Sequence, residues 1–439
     1  MNFKSKNLFF LLAIVAVASF TFSSCGKNFD CDALEANYGS GCDDGNAATV
    51  GDIIKTDCTC AGTLVEDKTE ARITSNITEN KTFTADKTWV LAGRVTVEPG
   101  ATLTIEPGTV IKGEAGTGLN ASVLIVARGA KLMAEGTANA PIIMTSVADN
   151  ITPEQVAAGD FASPNLDSDT NGYWGGLIVL GNATISASTS PVQIEGIPTS
   201  DTNGLYGGSD DTDNSGVIQY VSIRHGGSNI GEGNEINGLT LGGVGSGTVI
   251  ENIEVVGNQD DGIEWFGGTV DVNNVVVWNV GDDAIDTDQA WAGTLDNFVV
   301  ITPAGSCFEL DGPEGTYTAR HTIQNGTVVA ITDQRITGGS LIDVDAGSKA
   351  TPVDMINVHF AGPLSYDGDG VTVFLTITED EAELATFTNV TLGTPSADLG
   401  NHMEQGGDIP AGISAGGEPK ANTSMLDWTW AAQAGELNF

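Results

Sequence analysis

The sequence predicts an all-β fold: a right-handed, single-stranded parallel β-helix with a small N-terminal disulfide module and a C-terminal cap. Three observations predict it. Between residues 252 and 310 the chain repeats every 22 to 23 residues, aligning Asn252-Ile253-Glu254-Val255 with Asn274-Val275-Val276-Val277 and Asn297-Phe298-Val299-Val300. Eight residues after the last apolar position of each copy comes Ile263-Glu264-Trp265, Ile285-Asp286-Thr287 or Phe308-Glu309-Leu310. That interval is too short for two strands and a crossover helix, but it fits one coil of a solenoid. The composition agrees, because 57 glycines against 14 prolines suit many tight turns between short strands.

The elements follow in chain order. Residues 1–24 read as a signal peptide, with Lys4 and Lys6 ahead of an apolar stretch from Leu8 to Phe20 that is too short to span a bilayer. Thr21-Phe22-Ser23-Ser24-Cys25-Gly26 resembles the lipobox of a bacterial lipoprotein, which implies a lipidated Cys25 as the mature N-terminus. The partner so implied is a lipid bilayer, and Gly26 after the cysteine carries no inner-membrane retention signal. An outer-membrane, lipid-anchored protein is therefore expected.

Residues 25–67 form the anchor, tether and cysteine-rich module. Cys31, Cys42, Cys58 and Cys60 lie within thirty residues of an exported chain and read as two disulfides. Cys58 and Cys60 are too close to pair comfortably with each other, so Cys31 and Cys42 would join them in one order or the other. Asp43-Asp44-Gly45-Asn46, Asp52 and Asp57 gather oxygen ligands near a glycine turn without the EF-hand spacing. Together with Cys58-Thr59-Cys60 this stretch resembles a short cysteine-rich repeat of bacterial surface proteins.

The β-helix domain is assigned to residues 68–349, with regular coils from about residue 88. Val95-Thr96-Val97-Glu98-Pro99-Gly100 and Leu103-Thr104-Ile105-Glu106-Pro107-Gly108 are alternating strands closed by Pro-Gly turns. The polar segment 147–173 should project as a loop, and a second insertion runs from Gly226 to Glu235. Inward positions stack as Val221, Ile253, Val275 and Phe298, and as Leu239, Ile263, Ile285 and Phe308. Asn252, Asn274 and Asn297 stack at a corner. Cys307 takes the place of Gly262 and Ala284, so it reads as a small turn residue rather than a nucleophile. Residues 350–439 supply the final coils and the cap, with Trp428 and Trp430 over the last turn.

The formal charge is −41, from 17 basic and 58 acidic residues, and loss of Lys4 and Lys6 makes it −43. Such a surface repels nucleic acid and attracts cations. Its sharpest constellation is Asn258-Gln259-Asp260-Asp261-Gly262, followed one period later by Gly281-Asp282-Asp283. Stacked coils would set these carboxylates side by side on one rim. Glu264, Asp286, Asp288 and Glu309 form a second acidic column, expected to point outward. Repulsion between coils then invites calcium, with Asp260, Asp261, Asp282, Asp283, Asp286 and Asp288 as oxygen ligands. Stacked aspartates also cap turns by accepting backbone N–H bonds. Trp174, Trp265, Trp278 and Trp291 are candidate sugar-stacking rings, although Trp265 follows the inward column by two and reads equally as core. The four histidines show no metal or triad spacing and read as turn or surface residues.

The paired acids resemble the N-T-D-G and G-D-D elements of polygalacturonase-type glycoside hydrolases, which share this fold. That resemblance implies Asp261, Asp282 and Asp283 as catalytic carboxylates. The chain lacks the family's G-H-G and R-I-K elements on the following coil, and His225-Gly226-Gly227 lies on an earlier coil, about 36 residues before Asp261. A lyase would need a basic residue, and only Arg224 is close in the repeat. Gly238 to Thr248, Asp260 to Val270 and Gly281 to Asp288 are similar to a group of Bacteroidota β-helix surface lipoproteins, from about residue 70 to the C-terminus. The resemblance implies the pectin-lyase-like fold and the surface-lipoprotein class. The expected function is thus a non-catalytic surface lipoprotein that binds glycan or a partner protein, with calcium as the expected supporting ion. The alternative is a polysaccharide-degrading glycoside hydrolase. No organic cofactor is expected.

Overall fold

The computed structural model describes residues 49–439 except 56–58, 65–68, 117, 229–235, 345–351, 369, 379–383 and 405–407. The chain forms two compact units, 1–67 and 68–439. The described part of the first is an antiparallel ribbon in which Thr49–Ile54 pairs with Cys60–Leu64. Cys25, Cys31, Cys42, Cys58 and the acidic loop 43–46 lie outside the described residues.

The second unit is a parallel β-helix. Its long sheet and an eight-stranded second sheet receive strands from successive coils, and among the described residues their strands pair in parallel throughout. The predicted register holds. Val221 pairs with Ile253, Val275 and Phe298 in turn, and Leu239 with Ile263, Ile285 and Phe308. These side chains belong to one apolar core running through the coils. Within a strand, alternate side chains face inward, so a shared register makes each inward row continuous.

The asparagine corner also forms, and it is longer than the repeat suggested. Asn252, Asn274, Asn297, Asn325, Asn357 and Asn389 all take left-handed backbone with φ between 54° and 59°. Asparagine tolerates this conformation because its short polar side chain bonds locally. The Asn297 Nδ2 donates to Asn274 Oδ1 at 2.7 Å, and Asn357 and Asn389 repeat the bond one coil further on.

Three expectations change. The first coil opens at Glu70–Ile73, which pairs with Thr88–Leu91, so the solenoid starts well before residue 88. Segment 147–173 does not project. It carries a short helix, Pro153–Ala157, and lays Ile151, Val156 and Phe161 over Val110 and Ile143. Trp428 and Trp430 do not cover the last turn. Trp430 packs edge-on against Trp278 and Trp428 against Tyr220, on the flank of the middle coils. The reason is that the outward face of the long sheet is apolar there, at Val256, Val276, Trp278, Val299 and Ile301, and needs a cover.

Candidate acidic site

The turn 257–262 leads from the long sheet into the second sheet, and its equivalents follow on each coil. Asp261 and Asp283 therefore sit one above the other. The backbone N–H of Asp283 donates to Asp261 Oδ1 at 2.9 Å, and that of Ser306 donates to Asp283 Oδ1. Ser306 Oγ continues the series by accepting from the Ser340 N–H at 3.2 Å. Each side chain thus caps the next coil, and Ser306 replaces an acid in that role. The geometry brings the rim acids together, and it also occupies one oxygen each of Asp261 and Asp283.

Two clusters emerge along this edge. Carboxylate oxygens of Asp260, Asp261 and Asp282 lie within 4.8 Å of one another, and so do those of Asp261, Glu264 and Asp286. The first cluster reaches solvent through the exposed Asp282, whereas all three members of the second are buried. Asp283 and Asp288 belong to neither cluster. Asp283 accepts the Ser306 N–H, and Asp288 accepts the Gln289 N–H at 2.7 Å. Glu264 is the member that the sequence placed outside the ligand set.

The second acidic column follows the outward row Thr240, Glu264, Asp286, Glu309 and Asp343. It points away from the core as expected, yet Glu264 and Asp286 are not solvated. The outward side of the second sheet is covered by the later stretch that carries Ile185, Ile194, Ile197 and Tyr206, which packs on Ile178, Leu180 and Phe266. Burial pushes the carboxyl of Asp286 well above the usual range, and Glu264, Glu309 and Asp288 push it further. Burial does the same to Glu264, with Asp261 and Glu195 adding to it, and to Asp261, beside Asp286 and Asp260. Its interaction with Asp283, then burial, raises Glu309 to about 9.

These carboxyls titrate higher folded than unfolded, so the folded state binds more protons. Their stabilisation is complete below the ordinary carboxylate pKa of ~4 and is lost as pH rises. For Glu309 the loss extends to about 9. In chelator, Tm should therefore fall from pH 4 to pH 9, and the fall should be shallower in Asp286→Asn. A slope identical in the two proteins would contradict the burial of that carboxyl.

The tryptophans are a correction. Trp174, Trp265 and Trp291 are all buried in the core, so none offers a face to a sugar. Trp265 stacks on Trp291 with centroids 4.7 Å apart, Trp291 Nε1 donates to Val270 O, and Trp174 Nε1 donates to Arg224 O. Trp265 shares its inward row with Leu241, Thr287 and Leu310, which is the alternation rule applied once more. The histidines are corrected too, since all four are buried. Cys307 is a free, buried thiol that burial raises to about 12, in keeping with an inert turn residue.

Beside the acidic edge lies a cleft of about 970 Å³ whose lining includes Asp167, Asp169, Trp278, Asn279, Arg335 and Trp430. Asn279 opens the turn that carries Asp282 and Asp283, so cleft and edge share a coil. The Arg335 guanidinium is held there by Val280 O at 3.0 Å.

No curated protein and no solved structure matches the chain. A family model does, described as a pectate-lyase-like β-helix domain and covering residues 75–432. The match spans the coils, the acidic edge and the segment that packs back along the flank, so the chain belongs to the pectate-lyase-like β-helix family.

Proposed function

We propose that this protein is a non-catalytic outer-membrane lipoprotein, anchored through acylated Cys25 and displayed at the cell surface, whose acidic edge binds an acidic glycan through calcium. The observation that carries the reading is the convergence of Asp260, Asp261 and Asp282 at a solvent-reaching edge of a chain with charge −41. Calcium takes six to eight oxygen ligands, so three carboxylates leave positions for a carboxylate of the ligand. The neighbouring cleft of about 970 Å³, lined mainly by polar side chains such as Asp167, Asp169, Asn279 and Arg335, has room for sugar residues. Family membership is compatible with carbohydrate binding or degradation. The capping duty of Asp261 and Asp283 favours binding, because a catalytic carboxylate must be free to exchange protons with substrate.

One observation favours the hydrolase. Glu309, raised to about 9 by its interaction with Asp283 and by burial, would be a protonated acid beside Asp286 of the preceding coil. A single experiment separates the two. Retention of the full chain on immobilised polygalacturonate should require calcium, disappear in EGTA and weaken at least about tenfold in Asp282→Asn, roughly the 1.4 kcal/mol that one lost charged contact is worth. No reducing sugar should be released. Sugar release by wild type that Glu309→Gln abolishes would replace the binder with the enzyme.

A further inference from the structure

The buried trio asks a sharper question than the exposed one. Asp261, Glu264 and Asp286 each expose less than a tenth of their surface, and the charged groups acting most strongly on them are other carboxylates. Three adjacent buried carboxylates facing only more negative charge are costly to ionise. Two further atoms point to what resolves this. Asp286 Oδ1 is buried without a hydrogen-bond partner, and so is Oδ1 of Asn237, which exposes only 1%. The Asn237 amide lies against the cluster, its Nδ2 bonded to Glu264 Oε2. Turning that amide over would present its oxygen to the same spot.

The dimensions fit an ion. Opposite ligands of a calcium sphere of radius ~2.4 Å stand about 4.8 Å apart. The trio's oxygens all lie within 4.8 Å of one another. We propose that Asp261, Glu264, Asp286 and the Asn237 amide oxygen hold one divalent cation, calcium in preference to magnesium, inside the wall of the second sheet. This ion is distinct from the exchangeable one at Asp260, Asp261 and Asp282, and Asp261 is the member common to both. Its role is structural. It pins Asn237, the Ile263–Phe266 strand and the Ile285–Asp288 strand, and it fixes Asp261 so that the outer site is preorganised. The inference rests on the cation-binding reading of the edge and deepens it. Magnesium is disfavoured because it demands near-ideal octahedral geometry and sheds water reluctantly, whereas a dry cluster of carboxylates suits calcium.

The test uses the full chain, stripped with EGTA and titrated with calcium alone, with bound metal counted by mass spectrometry and Tm followed in parallel. Wild type should retain one ion through dialysis and gain about 3 °C at calcium a hundredfold above Kd. Asp286→Asn should lose both the retained ion and the gain. In EGTA it should melt at or above wild type, since one buried carboxylate has become a neutral isostere, which also shows that the variant folds. Asp282→Asn should keep the retained ion and the gain while losing retention on polygalacturonate. If Asp286→Asn gains as much as wild type, if Asp282→Asn alone loses the gain, or if wild type holds no ion, the buried site is overturned. Should polygalacturonate fail to bind wild type while the Asp286-dependent gain persists, the glycan reading fails and the buried ion stands.

Discussion

Replacing Arg224 with alanine should cost the fold about 3–5 kcal/mol, the range for breaking a buried ion pair from one side. The Arg224 and Glu254 side chains are both fully buried, with Nη2 3.4 Å from Glu254 Oε2. Nε also donates to Ser222 Oγ at 2.7 Å, and the guanidinium lies 5.0 Å from the centroid of the Trp430 ring. Burial lowers the guanidinium's pKa, and Glu254 opposes that shift. Without Arg224, Glu254 keeps its bonds to Ser222 and to the Ala431 N–H but loses its countercharge. The C-terminal helix Trp430–Ala434 docks on this pair, so it should loosen as stability falls. Urea unfolding would measure the loss, and limited proteolysis would report cleavage beyond residue 420. A loss under about 1 kcal/mol with the C-terminus still protected would show that Glu254 does not depend on Arg224 for its countercharge. Exchanging both partners for leucine should be far milder, because no orphan charge remains.

The second large effect belongs to Gly326. In the inward row it follows Phe298, and Val358 follows it. A Cβ at Gly326 would fall among the Phe298 ring atoms Cζ, Cε1 and Cε2, well inside van der Waals distance. Gly326→Ala should therefore destabilise by about 1–3 kcal/mol, the usual cost of overpacking a tight core. Phe298→Leu alone should also cost stability by leaving a cavity. The two together should cost less than their sum, because the smaller side chain vacates the space that the methyl needs. Strict additivity in thermal unfolding would mean that the ring moves aside freely. The like-on-like stacking read from the repeat stops at this pair: a large ring on one coil is matched by no side chain on the next.

Much of the architecture was legible because a solenoid converts sequence period into spatial neighbourhood. The 22-residue spacing set Asp261 above Asp283, and the hydrogen bond between them follows from that register. The asparagine corner was legible for the same reason, since each coil needs the same left-handed turn. Glu264 was assigned to the outward row correctly, yet its membership of the buried cluster was not. Asn237 left no signal beyond its place just before the Leu239–Gly242 strand. Trp174 was misjudged because it ends an irregular segment that no alternation governs, while its indole packs by Gly113 and bonds Arg224 O, and Trp430 because its partner surface lies about 150 residues upstream.

Period and alternation are local properties of the chain, so the coil, the register and the face of each strand residue could be read from it directly. Which outward faces stay wet depends on how distant segments fold back. The stretch carrying Ile185 to Tyr206 closes over the second sheet, and the C-terminal segment closes over the long one. Such coverage joins residues that no period relates. It turns a column of solvated acids into buried carboxyls, because a charge loses its hydration when distant chain lies over it.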